Sequence, residues 1–88
     1  MEAIMTVTGL DRTGIVAAVS ASLAREHANI TNISQTLMGE YFTMILHLSL
    51  REETNFATFK DAMAELGEKE ALDIRVQSAA IFHAMHRI

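Results

Sequence analysis

Cysteine is absent from the 88 residues, and so are proline and tryptophan. Without cysteine there can be no disulfide, no iron–sulfur cluster and no thiolate-ligated metal. No apolar run approaches the roughly 20 residues that a bilayer-spanning helix needs. The first residues lack a basic segment followed by an apolar core, so they do not read as a secretory signal, and cytoplasmic residence is the expectation. No linker-like or low-complexity stretch interrupts the chain, so residues 1–88 are expected to form a single domain. Basic residues are few: 7 Lys and Arg against 11 Asp and Glu leave a net charge of -4. That balance argues against a nucleic-acid or anionic-membrane surface.

What the chain has in quantity is apolar side chains, at 50% of residues. A domain of this size buries roughly 60–65% of its unfolded surface. Surplus apolar content in so small a chain commonly goes into subunit contacts, so a homo-oligomer, dimer or tetramer, is expected.

Periodicity divides the chain into alternating strands and helices. Residues 1–8 read as a strand, with Met5 and Val7 on one face and Ile4 and Thr6 on the other. Residues 13–27 read as a helix, because Ile15, Val16, Val19 and Leu23 recur at helical spacing. Residues 29–38 form a strand interrupted by polar Asn29 and Asn32, and Gly39-Glu40 is a turn. In residues 41–50, Phe42, Met44, Leu46, Leu48 and Leu50 alternate with Tyr41, Thr43, Ile45, His47 and Ser49. Thr54 or Asn55 is placed to cap a second helix with the stripe Phe56, Phe59, Met63 and Leu66, and Gly67 to end it. Leu72, Ile74 and Val76 alternate in a last strand, and residues 79–87 read as a short helix. The order predicts an α+β fold, a ferredoxin-like βαββαβ sandwich: a four-stranded antiparallel sheet with two helices on one face and a short C-terminal helix. Its other face carries Ile4, Ile45, Tyr41 and Phe82, and is expected to be covered by the tail or by a partner subunit.

The run Val7-Thr8-Gly9-Leu10-Asp11-Arg12-Thr13-Gly14-Ile15-Val16 carries the most chemistry. An apolar strand enters a polar turn with two glycines, and the turn opens into a helix. Free N–H groups and a partial positive charge at a helix start attract anions such as a carboxylate. Gly14 leaves room for a ligand against the backbone. Asp11 and Thr13 are each placed to cap the helix or to contact a polar ligand. A well-capped structural turn would look the same in sequence.

That run, the alanine-rich helix after it and Ala28-Asn29-Ile30-Thr31-Asn32-Ile33 resemble an ACT domain. Ile74-Arg75-Val76-Gln77 and the ending Ile81-Phe82-His83-Ala84-Met85-His86-Arg87-Ile88 are similar to small stand-alone ACT proteins. The resemblance spans essentially the whole chain and implies regulatory binding of an amino acid or related small molecule. It also implies side-by-side pairing of two sheets into one of eight strands. A ligand would then lie between the first strand–helix turn of one subunit and the second strand of its neighbour. The matching positions here are Gly9, Leu10, Asp11, Arg12, Thr13 and Gly14 in the turn, and Asn29, Ile30 and Asn32 on the second strand. Backbone N–H groups near Thr13, Gly14 and Ile15 would take an α-carboxylate, Asp11 or the two asparagines an α-ammonium, and Leu10 and Ile30 an apolar group. Arg12 would either point to solvent or clamp an acidic ligand. Most ACT domains are attached to an enzyme or a DNA-binding domain, and this chain carries neither. Its signal is expected to pass to a separate partner such as a metabolic enzyme. The competing expectation is a ligand-free interaction or dimerisation module that docks on an enzyme or transporter.

No cofactor is implied, and other chemistries fare worse. His83 and His86 share a face of the tail helix but lack a metal-binding motif around them. Acylphosphatases use this fold with an arginine in the same turn and an asparagine on a strand, which Arg12 and Asn32 would imitate. The glycine-rich cradle is missing, however, and Asp11 would repel a phosphate, so no catalytic residue is assigned. RNA-binding domains of this fold stack bases on paired aromatics, whereas Tyr41 and Phe42 are adjacent and face opposite ways. Deleting residues 81–88 is expected to lower the melting temperature by several degrees or to shift the oligomeric state; a variant unchanged in both would deny the tail a structural role.

Overall fold

The alternation of Phe42, Met44, Leu46 and Leu48 sorts the molecule into two layers, because all four are buried while Tyr41, Thr43 and His47 are exposed. The structure is a computed structural model and describes residues 1–81. Strand β1 (Glu2–Leu10) is followed by helix α1 (Ile15–Arg25), strands β2 (Asn29–Met38) and β3 (Tyr41–Ser49), helix α2 (Phe56–Glu70) and strand β4 (Asp73–Ser78). The sheet runs β2-β3-β1-β4, and every neighbouring pair is antiparallel. This is the expected ferredoxin-like βαββαβ sandwich. Ala3, Met5 and Val7 of β1, the four β3 residues and Val76 of β4 form one buried cluster with Ile15, Val19 and Leu23 of α1 and Phe59, Met63 and Leu66 of α2. Each fully buried side chain of this size contributes about 1.5–3 kcal/mol through removal from water. No described helix is long and apolar enough to cross a membrane.

Boundaries depart from the expected ones where tertiary contacts intervene. β1 continues two residues further, through Gly9 and Leu10, because these pair with Phe42 and Tyr41 of β3. α1 is shorter than residues 13–27. Its end is a left-handed residue, His27 (φ 59), with the His27 N–H donating to the Ala24 carbonyl and that of Ala28 to the Leu23 carbonyl. Those two bonds are the Schellman pattern that satisfies the last carbonyls of a helix. Of the two expected caps of α2 it is Asn55 that acts, its Oδ1 accepting from the Thr58 N–H at 3.0 Å.

Gly67 does not end α2, which runs on to Glu70. It is required inside the helix: a Cβ there would stand 2.8 Å from the Leu72 carbonyl oxygen. The helix ends instead at Ala71, which takes φ 56, and the N–H groups of Ala71 and Leu72 both donate to the Gly67 carbonyl.

The outer sheet face is mixed, as its sequence implied. Ile4 is 2% exposed although it lies opposite the core cluster, in register with His47 and Gln77. Ile45 is half-buried, and Tyr41 is exposed. Residues 79–81 open in helical conformation, with the Ile81 N–H donating to the Ser78 Oγ at 3.2 Å. The rest of the expected tail helix, including Phe82, His83 and His86, lies outside the described residues.

Two neighbouring substitutions should act with opposite sign. Ala71→Gly relieves a left-handed conformation that costs an L-residue about 1 kcal/mol, and should raise the melting temperature by about 4–8 °C. Gly67→Ala, stabilising by about 1 kcal/mol in most helix interiors, should lower it here, because backbone rather than a flexible side chain blocks the Cβ. Thermal denaturation followed by circular dichroism checks both, and equal signs would contradict the assigned causes.

Candidate functional site

The turn that joins β1 to α1 is Asp11–Gly14, and it is fastened by backbone geometry. The Asp11 N–H donates to the Glu40 carbonyl at 2.7 Å, which ties the turn to the β2–β3 hairpin. Arg12 Nη2 donates to the Glu70 carbonyl at 3.0 Å and to Glu70 Oε1 at 2.7 Å, which ties it to the end of α2. Gly14 takes φ 92, and its carbonyl accepts the first helical bond of α1, from Ala18, at 2.9 Å. This is a left-handed conformation that glycine adopts without steric cost.

Two sequence expectations are corrected here. Asp11 and Thr13 do not cap α1; the cap position is Gly14, and no side-chain cap bond is made. Because α1 begins at Ile15 rather than at Thr13, Asp11 stands three residues ahead of the cap position, which Gly14 occupies without a side chain, and backbone alone starts the helix. Gly9 is not part of the turn but of β1, where a Cβ would stand 2.8 Å from Leu72 Cδ2. Its role is close packing of β1 under the α2–β4 connection.

The second-strand residues divide between the faces of β2. Asn29 and Asn32 are exposed, in register with Ser49 and His47 on the outer face. Ile30 faces the helices and is half-buried against the core cluster. The reversal within two residues comes from a bulge at Thr31, whose Oγ1 donates to the His47 carbonyl at 3.2 Å.

Within one chain the turn and the asparagines do not meet. Leu10 pairs with Tyr41 at one end of β3, and Asn29 pairs with Ser49 at the other. Eight residues of strand separate those positions, about 26 Å.

Pairing shows what the turn does lie against. Gly39 and Glu40 form the two-residue hairpin turn, with Gly39 at φ 63 in the first position, as a type II′ turn requires. Leu10, Asp11, Gly39 and Glu40 line an open cleft of about 440 Å³. Leu10, Tyr41 and Met38 are in register on the outer face and are 57%, 59% and 77% exposed. Ile33 and Leu37 lie on the helix-side face of β2 yet remain exposed, and Val16 of α1 is exposed as well. Among the described residues β2 is an edge strand, so one row of its backbone N–H and C=O groups has no neighbour in the sheet.

Sequence reasoning missed Glu40, Gly39 and Glu70. The hairpin glycine was visible, but its position beside Asp11 follows from strand register. Glu70 carries no local signal, being 58 residues from Arg12. Among the described residues no cluster of His, Cys, Asp or Glu is arranged to hold a metal ion.

A family model described as an ACT domain matches residues 2–77. A UPF0237 protein of Corynebacterium glutamicum is 49% identical over 89 residues, covering 100% of both chains. The solved structure of an ACT domain protein from Streptococcus pneumoniae is 44% identical, covers 93% of each chain and superposes with a TM-score of 0.84. A formyltetrahydrofolate deformylase from Pseudomonas putida shares the fold alone: 16% identity and a TM-score of 0.80, over 89% of this chain but 29% of that one.

If the turn is held by its backbone, removing its side-chain oxygens should cost little. Asp11→Ala and Thr13→Ala should each change unfolding free energy by less than about 0.5 kcal/mol. Asn55→Ala, which deletes a real cap, should cost about 1 kcal/mol. Urea denaturation of the three variants makes the comparison, and a loss in Asp11→Ala as large as in Asn55→Ala would restore aspartate as the cap.

Proposed function

The chain belongs to the ACT domain family, and from that membership we propose that it is a regulatory module that binds a small molecule, an amino acid, between two copies of itself. One observation carries the reading: the two halves of the expected site lie at opposite ends of the sheet, next to a free edge strand. Two β2 edges that pair antiparallel about a central two-fold axis set the start of one strand beside the end of the other. Asn29 and Asn32 of a second copy then approach the hairpin Gly39-Glu40, to which Asp11 is bonded. The same pairing covers the exposed Ile33 and Leu37 and satisfies the free backbone groups.

In such a site the N–H groups at the start of α1 receive the α-carboxylate, since no side chain caps that helix and Gly14 leaves its approach open, with nothing within 4 Å of a Cβ position. Asp11 and the asparagines of the second copy take the α-ammonium group. Leu10, exposed beside the cleft, supplies an apolar wall. Binding that joins two copies alters both surfaces at once, and a separate metabolic protein reads that change.

A thermal-shift screen against the twenty amino acids is the first experiment, because a ligand that binds the folded state raises its melting point. One selective shift is expected, absent in Gly14→Leu and in Asn32→Ala. Mixing those two variants should then recover about a quarter of the wild-type sites, since each mixed dimer holds one intact turn opposite one intact β2. No recovery in mixtures shown to exchange subunits would place the site within one chain. No shift from any amino acid would overturn the ligand reading.

A further inference from the structure

Arg12 is the basic residue of the turn, and one nitrogen of its guanidinium is already engaged. Both of its bonds leave the same nitrogen, Nη2, and both end on one residue, Glu70. The acceptors are of two kinds. The Glu70 carbonyl belongs to the last turn of α2, where carbonyls lack helical donors and the helix dipole is negative. The carboxylate adds a charge-assisted bond at 2.7 Å. The Glu70 side chain is 20% exposed against 44% for Arg12, so the carboxylate rests against the body of the protein while the guanidinium reaches it from the solvent side.

The end of α2 is arranged so that this carbonyl is free to accept. Ala71 and Leu72 both turn their N–H groups back to the Gly67 carbonyl, and Glu70 is left to an outside donor. The same connection sends Leu72 over Gly9. Among the described residues two hydrogen-bonded tethers therefore reach the segment from β1 to α1 from outside it: the Glu40 carbonyl on Asp11 and Glu70 on Arg12. Arg12 lies in irregular backbone between strand and helix, so its own ladder bonds do not hold it.

We propose that Arg12 is a positioning residue: through Glu70 it holds the Asp11–Gly14 turn in the shape that presents its backbone N–H groups, and it does not itself contact the ligand. The proposal rests on the binding reading above for its functional meaning, while its structural part is independent of any ligand. It also assigns Glu70, remote in sequence from the turn, to the same unit. The Nη2 donors are spent on Glu70, and the proposal leaves ligand anions to the backbone N–H groups.

Two readouts on the full chain test it. The first needs no ligand. Nitrogen-15 relaxation of Arg12, Thr13 and Gly14 should show order parameters falling from the rigid range, about 0.85, to below about 0.6 in Arg12→Gln, and part of the way in Glu70→Ala, where the Glu70 carbonyl still accepts. Hydrogen exchange at the Asp11 amide should quicken about tenfold in Arg12→Gln and by less in Glu70→Ala, with the Met5 and Leu46 amides of the core strands unchanged. Arg12→Lys, whose ammonium offers several donors from one nitrogen, should restore most of the order.

The second readout uses whichever of the twenty amino acids shifts the wild type. Arg12→Gln, which removes both bonds, should weaken it about fivefold; Glu70→Ala, which leaves the Glu70 carbonyl to accept, should weaken it less, and the double variant no further than Arg12→Gln alone. A turn that stays ordered in Arg12→Gln overturns the proposal. So does a Glu70→Ala variant with unchanged order and affinity beside an Arg12→Gln affinity more than about tenfold below wild type, which would mark direct contact. If no amino acid binds the wild type, the binding reading alone falls, and the relaxation data still decide whether Arg12 holds the turn.

Discussion

The register between β1 and β3 is the constraint on which the remaining geometry depends. Nine residue pairs, from Glu2↔Ser49 to Leu10↔Tyr41, lock the two central strands together. Met5, Val7, Met44 and Leu46 are all fully buried on one face of that pair. A slip of one residue would turn every one of them to the outer face and bring Thr6 and Thr43 into the core. The burial of so many side chains therefore fixes not only the sheet but also where it stops. Because β1 runs to Leu10, the turn that follows emerges beside Tyr41 and the hairpin at Gly39-Glu40.

From that placement follows the way the turn is built. It is anchored by its own N–H at Asp11, by a left-handed glycine at the helix start and by an arginine reaching to the far end of α2. The polar side chains of Asp11 and Thr13, which would cap a helix in another setting, make no cap here. They stay exposed at a helix start that is ready for an anion. In the proposed site, structure and binding are separated within four residues: backbone and Arg12 hold the shape, and the exposed groups are left for a ligand.

The glycines and the edge strand show how packing assigns roles that residue type leaves open. Gly9, Gly14 and Gly67 look alike in sequence. Two serve close approach of neighbouring atoms, and one serves a positive φ. β2 has the alternation of a half-buried strand, yet it is exposed from Thr31 to Met38 because it forms the sheet edge. Isolated chains seldom leave such a row of backbone groups and apolar side chains uncovered. The proposed antiparallel second copy would cover it and join the separated half-sites, so the functional proposal and the apolar surplus of the composition meet in one surface.

The sequence by itself determined the order of elements, the two-layer fold and the family. Those depend on periodicities and turn residues that act over a few positions: the alternation from Tyr41 to Ser49, the helical stripe of Phe56, Phe59, Met63 and Leu66, and the glycine hairpin at Gly39. The turn was legible as a candidate site for the same reason, since a strand, two glycines and a helix are contiguous. Only tertiary structure decided what each turn residue does. Gly9 belongs to a strand because Phe42 pairs with it, and Gly67 stays inside a helix because α2 continues past it. Arg12 is engaged because Glu70, 58 residues away, ends that helix beside it. Local pattern encodes secondary structure, but which groups become neighbours depends on strand register and helix packing, and these are set by burial of the whole core at once.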